Sequence, residues 1–227
     1  MYKGVAVFFL GFMLVGCAST NTVPMDTAKV EQTSPSSITI SSREKPSFVA
    51  MTTGKAMVGG LVGYAAMVIA GNNIVEENEI EDPAGRISSG LAASLAERLG
   101  IEQMDESGFV TKEKSVAGLA RDYAASDLLV DVETLGWGFS YYPSAMRTYD
   151  VAYSARLKVI DTRSMQTIAE AHCSRSPSKT YDSPSHAELL ANGAERLKQE
   201  LMVAADSCLR EFENKIFPRN QQLLSEA

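Results

Sequence analysis

Between Ser185 and Phe212 the chain carries an apolar stripe that no free-standing helix would keep: Leu190, Ala194, Leu197, Leu201, Ala204, Cys208 and Phe212 recur at spacings of four and three. Ser185 and Glu188 form a capping box that starts this helix, and Pro218 closes it. A long helix with one apolar face needs a surface to cover, and the preceding segment supplies one. Leu128, Val130 and Val132 alternate with Asp131 and Glu133, as in a half-buried strand. The alternation changes phase near Gly136, so a bulge is expected there, after which Trp137, Phe139 and Tyr141 share a face. Tyr149, Val151, Tyr153, Ala155, Leu157 and Val159 give a second long strand. A turn at Asp161-Thr162-Arg163-Ser164 leads to a third, with Ala169, Ala171 and Cys173 on one side. The expected fold is α+β: a two-layer sandwich whose mainly antiparallel sheet is covered by helices, among them the long C-terminal one. The same stripe would suit a short coiled coil. Its richness in Ala, and a sheet in need of a cover, favour docking.

Upstream elements are shorter. Ile38–Ile40 and Phe48–Thr52 read as strands. Asp82 as N-cap, Pro83 at the first helical position, Ile87, Leu91, Leu95 and Leu99 on one face and Gly100 as the stop define a helix. Ser115–Ala125 reads as another. The run Gly54–Gly71 is unusual, since no charge occurs between Lys55 and Asn72. It falls short of the roughly 20 residues of a membrane span. Gly59 and Gly63 form a small-xxx-small pair, which permits close helix approach in lipid. Two readings stay open for it: a membrane-touching or self-associating helix, or a segment packed on the core.

The N-terminus sets an address. Lys3, the apolar run Val5–Val15 and then Gly16-Cys17 have the length and order of an export signal rather than a span. Leu14-Val15-Gly16-Cys17 resembles a bacterial lipoprotein lipobox, which implies acylation of Cys17, a membrane held through its acyl chains and a place in a Gram-negative envelope. Ala18 in place of Asp implies, by the same resemblance, the periplasmic face of the outer membrane. The expected organisation is a signal peptide over 1–16, a lipidated Cys and flexible tether over 17–37, rich in Ser, Thr and Pro, and one periplasmic domain over 38–227. In that compartment the remaining cysteines, Cys173 and Cys208, are most simply one disulfide. It would stabilise the fold by roughly 3–4 kcal/mol in the chain-entropy model. Two separate buried thiols are the alternative.

The element order resembles the small α+β domains of several envelope lipoproteins, including the curli-secretion lipoprotein and the amino-terminal domain of the Tol-Pal periplasmic protein. Val159-Ile160-Asp161-Thr162-Arg163 looks like the hairpin of that group. The resemblance carries no functional residues across.

Chemistry is sparse. The net charge of −7 becomes −8 once Lys3 leaves with the signal, and no basic run occurs, so nucleic acid is not an expected partner. His172 and His186 are the only histidines. No Gly-x-Ser-x-Gly elbow accompanies them, and no nucleotide loop is present. Glu76, Glu77, Glu79, Glu81 and Asp82 lack the alternation of a calcium loop and read as a solvated helix cap rather than a metal site. Neither an enzymatic activity nor a cofactor is therefore expected. Trp137, Phe139, Tyr141 and Tyr142 are the best candidates for a partner surface, with a core aromatic cluster as the competing reading. The expected function is that of a scaffold or assembly factor that contacts another envelope protein, with oligomerisation open. Carriage or sensing of a small apolar ligand such as a lipid is the alternative.

Overall fold

The computed structural model describes residues 22–105, 108–176 and 183–217. Short elements come first: helix α1 (Thr27–Thr33) and strands β1 (Ser37–Ile40), β2 (Ser42–Arg43) and β3 (Val49–Ala50). Helices α2 (Thr53–Val58), α3 (Gly60–Glu77) and α4 (Pro83–Leu99) follow, then strands β4 (Glu102–Gln103) and β5 (Val110–Thr111) and helix α5 (Val116–Asp122). The spine is a meander of β6 (Leu128–Tyr142), β7 (Ala145–Asp161) and β8 (Gln166–Arg175), and α6 (His186–Ile216) completes the chain. The fold is α+β, as expected. The sheet runs β4-β1-β6-β7-β8, with β3 paired to the upper half of β6. The meander is antiparallel, whereas β1, β3 and β4 join it in parallel, so the sheet is mixed.

Helices α4 and α6 pack on each other and on one face of this sheet. Leu128, Val130, Val132, Ala155, Leu157, Val159, Ala169, Ala171 and Cys173 point into that layer and are buried. From the helices, Ile87, Leu91, Leu95, Leu197, Leu201, Cys208 and Phe212 meet them. Cys173 and Cys208 are disulfide-bonded, with Cα atoms 5.5 Å apart, and staple α6 to β8. On the opposite face a smaller core forms where Leu119, Ala120 and Tyr123 of α5 cover Leu129 and Ile160.

The expected bulge falls between Thr134 and Gly136, with Leu135 as the extra residue. Thr134 is buried there, and its hydroxyl donates to Asp82 Oδ1 at 2.6 Å and lies 3.0 Å from the Tyr153 hydroxyl. Asp82 in turn accepts from Ala84 N and caps α4, so the bulge and the helix start share one hydrogen-bonded chain.

Two expectations need correction. Residues 23–37 belong to the folded domain rather than to a tether. Val23 and Glu170 exchange backbone hydrogen bonds of 2.7 and 2.9 Å, Met25 N donates to Ile216 O, and Met25 is 1% exposed. Asp26 caps α1, whose Val30 is buried. Polar composition concealed two buried apolar anchors, Met25 and Val30, and the backbone pairing of Val23; residues 17–21, Cys17 included, lie outside the described residues. The last helix is also not continuous. Ala191–Ala194 leave helical geometry, with Asn192, Gly193 and Ala194 all at positive φ. Leu189, not Leu190, is therefore the fully buried residue of the first turn. Ala194 and the stripe from Leu197 onward are buried as the spacing predicts.

One segment has backbone packed where side chains usually stand. A Cβ on Gly138 would lie 2.3 Å from the Val49 carbonyl oxygen, and one on Gly71 would lie 2.0 Å from that of Phe48. Gly138 on the sheet and Gly71 on α3 thus clamp the β3 segment from two sides. Gly71→Ala and Gly138→Ala are each expected to destabilise the domain by about 1–3 kcal/mol, as overpacking does, whereas Gly54→Ala, which meets nothing within 4 Å, leaves stability within about 0.5 kcal/mol. Denaturant unfolding of the three variants measures this.

Candidate interaction surface

The upper end of the sheet is built around Phe48. Its ring is fully buried and meets Trp137 edge-on at 5.0 Å and Phe139 at 5.8 Å. Phe139 also packs against Tyr149 and His186, whose rings are 5.7 and 5.6 Å away. Trp137 Nε1 donates to Pro46 O, and Phe48 N donates to Asn72 Oδ1, both at 2.9 Å. Trp137 and Phe139, expected to form a partner surface, are 3% and 2% exposed. They are core residues, the competing reading, because β3 and α3 supply a cover that strand alternation alone does not announce. Tyr141 and Tyr142 are half-buried at the hairpin tip, beside the exposed Met146.

His186, at the first position of α6, rests on this cluster, and its backbone neighbourhood is tied to the hairpin: Tyr149 N donates to Pro184 O at 2.8 Å. Burial, and secondarily the Lys55 ammonium, hold the imidazole below its ordinary pKa. The ring is therefore neutral near pH 7. His172 is half-buried on β8, and its Nδ1 has no hydrogen-bond partner among the described residues.

Gly59 and Gly63 do not present a joint outward face. Gly59 ends α2, and with Gly60 it adopts positive φ (65° and 57°), which fits the sharp α2–α3 turn. Gly63 is buried, in line with Met67, Gly71 and Val75 along the side of α3 that meets the domain. What α3 leaves uncovered is bulky instead. Leu61 is 88% exposed, Val62 73%, Tyr64 57% and Ile69 63%, and Met57 on α2 is 88% exposed. No described helix is long and apolar enough to cross a membrane.

Cavities elsewhere are of two kinds. A cavity of about 640 Å³ between β2 and α4 is edged by Arg43, Lys45, Lys112, Glu44 and Glu81. Its cations are already paired: Arg43 with Asp131, Lys45 with Glu81, and Lys112 with Glu44. A groove of about 450 Å³ between α4 and α6 is more apolar, with Ile80, Pro83, Leu201, Met202 and Ala205 in its lining. Of the acidic cluster, Asp82 caps α4 and Glu81 pairs with Lys45. Among the described residues no three His, Cys, Asp or Glu side chains converge as a metal ion requires.

No family model and no curated protein matches the chain. Among solved structures it is similar to the lipoprotein GNA1162 of Neisseria meningitidis, at 11% identity over 78% of this chain and 99% of that one, with a TM-score of 0.33. It is also similar to a DUF330 protein of Xanthomonas campestris, at 9% identity over 85% and 89% of the two chains, with a TM-score of 0.40. The PelC dodecamer of Paraburkholderia phytofirmans is a further neighbour, at 10% identity over 80% and 87%, with a TM-score of 0.33. At these identities and TM-scores the likeness carries no functional meaning.

Because the folded state holds His186 below its unfolded pKa, its neutral form stabilises the domain above about pH 6.5. That contribution falls as pH drops through the unfolded value toward the folded one. The thermal midpoint should therefore fall between pH 7.5 and 5.5, and His186→Phe should flatten this part of the profile. Asp82, raised mainly by its burial, acts with the opposite sign. An unchanged slope in the His186 variant would remove the assignment.

Proposed function

We propose that this chain is a lipoprotein, acylated at Cys17 and held at the periplasmic face of the outer membrane, whose domain works by binding rather than catalysis. Its role is that of a scaffold or assembly factor, docking another envelope component through the apolar end formed by α2, the first half of α3 and the Tyr141–Met146 hairpin tip. One observation carries this reading: five large apolar side chains on α2 and α3 stand more than half exposed on one projection. Contiguous apolar exposure of this kind marks an interaction site. The lipobox resemblance supports the address. Tyr141 and Tyr142, half-buried at the hairpin tip, are suited to anchor a protein contact.

The apolar groove between α4 and α6 favours a second reading, carriage of a small apolar ligand. Solvent extraction of the purified protein followed by mass spectrometry would recover a stoichiometric lipid if that reading holds.

The test of the first reading is photo-crosslinking in cells, with a photoreactive amino acid placed at Leu61 and, as a control, at the exposed Ser89 on α4. Adducts at position 61, to protein or to lipid, that are absent at 89 would establish the apolar end as the docking surface. Equal labelling at both positions, or none at 61, would end it.

A further inference from the structure

The α2–α3 projection has a composition gradient along its length. Between Lys55 and Glu76 there is no charged residue. The side of α3 against the domain is marked by Gly63, Met67, Gly71 and Val75, and the helix ends in Glu76 and Glu77, with Glu79 and Glu81 just beyond. The opposite side carries Leu61, Val62, Tyr64 and Ile69. At 100° per residue the exposed side chains wrap through roughly 160° of the helix. Within that arc no charged side chain forms a rim, whereas protein interfaces set register and partner choice with polar and charged rims. A second copy of the chain is a poor occupant for a separate reason. The small residue that would allow close helix approach, Gly63, faces the domain.

We infer that the α2–α3 tip inserts into the hydrocarbon of a phospholipid leaflet, giving the domain a second attachment to the bilayer besides its acyl chains. This rests on the reading of the apolar end as the docking surface, and it names the occupant. The dimensions agree. From Leu61 to Ile69 the exposed stretch is about 13 Å long at 1.5 Å per residue, against about 15 Å for half of a bilayer core. Such a tip enters one leaflet and does not span. Lys55 lies one short helix away and can keep its ammonium in the headgroups while its stem follows the apolar surface. The glutamates past Val75 stay on the aqueous side.

Chain length adds a geometric condition. Val23 is fixed on β8 opposite Glu170, at the level of Lys158 and Asp131 in the sheet. The base of the projection sits at Gly138 and Phe139, about 25 Å further along the strands at 3.3 Å per residue. Six Cα-to-Cα steps lead from Cys17 to Val23 and span at most about 20 Å. Both attachments reach one bilayer only if the sheet leans toward it, with its long axis inclined rather than upright.

The experiment uses the full lipidated protein in vesicles of phosphatidylethanolamine and phosphatidylglycerol. An environment-sensitive fluorophore is attached at Leu61→Cys or, as control, at Ser89→Cys. The expected result is blue-shifted emission at 61, quenched by lipids that carry a nitroxide on the acyl chain, with neither effect at 89. Val62→Asp, at a position 73% exposed, should abolish both signals while leaving the thermal midpoint unchanged. A blue shift at 61 that disappears as lipid dilutes the protein would indicate a second copy and overturn the inference. Water-like emission at 61, together with photo-crosslinks to a protein in cells, would overturn it while leaving the docking reading intact. Water-like emission without such crosslinks would end both.

Discussion

Phe48 sits between Trp137 and Phe139 with no exposed surface, while its carbonyl passes under Gly71 and the next one passes under Gly138. This clamp decides the shape of the upper half of the molecule. It brings a strand of only two residues onto β6 in parallel, at a place where the sheet would otherwise end in an open aromatic edge. It also fixes the one line along which α3 touches the domain. Since α3 is held along the single line of Gly63, Met67, Gly71 and Val75, with the Asn72 amide, the opposite side of its first turns stays uncovered. The exposed tip is thus a consequence of where the clamp lies.

The lower half obeys a simpler rule. Three strands with one apolar face and a helix with one apolar stripe leave a single arrangement that buries both, and the Cys173–Cys208 bond closes it over a separation of 35 residues. The two halves meet at the Thr134 bulge. There the strand gains one residue, and the Thr134 hydroxyl turns inward to bridge Asp82 and Tyr153. Without that bridge Asp82 would be a buried carboxyl with only Ala84 N as a hydrogen-bond partner, and burial already pushes its pKa up. The bulge therefore serves α4 as well as the sheet, and through α4 it helps to position the chain that leaves α3.

Much of this is written locally in the sequence. The capping box at Ser185, the Asp82-Pro83 start, the Gly100 stop and the strand alternations are signals within a few residues, and each appears at its expected place. Contacts made far along the chain are not written in that way. Alternation puts Trp137 and Phe139 on a common face but does not tell that Phe48, about 90 residues earlier, covers them. The break in α6 had a local signal, the Asn192-Gly193 pair, a combination that favours turns; the continuous stripe around it masked that signal. Val23, Met25 and Val30 are three isolated apolar residues in a polar stretch, and only the backbone bonds of Val23 to Glu170 and of Met25 to Ile216, with the burial of Met25 and Val30, show that the segment is anchored. The uncharged helix was legible as an anomaly, and its outward face was not. Gly63 drew attention to the side that turned out to pack inward.

The stability of that helix bears on how its tip would work. Gly60, Gly63 and Gly71 each lower helix propensity by about 1 kcal/mol relative to Ala, and the turn at Gly59-Gly60 brings no side-chain cap to the first turn of α3. Most helical stability in a protein comes from a packed face, and that of the first two turns of α3 is limited to Gly63 and Met67. The tip therefore belongs to the least stable part of the fold, where opening costs least. An apolar medium reverses that balance: it buries the bulky side chains and removes the water that competes for the first-turn amides. Docking of the kind inferred above would therefore bury the bulky side chains and stabilise the first turns of α3 in one coupled step.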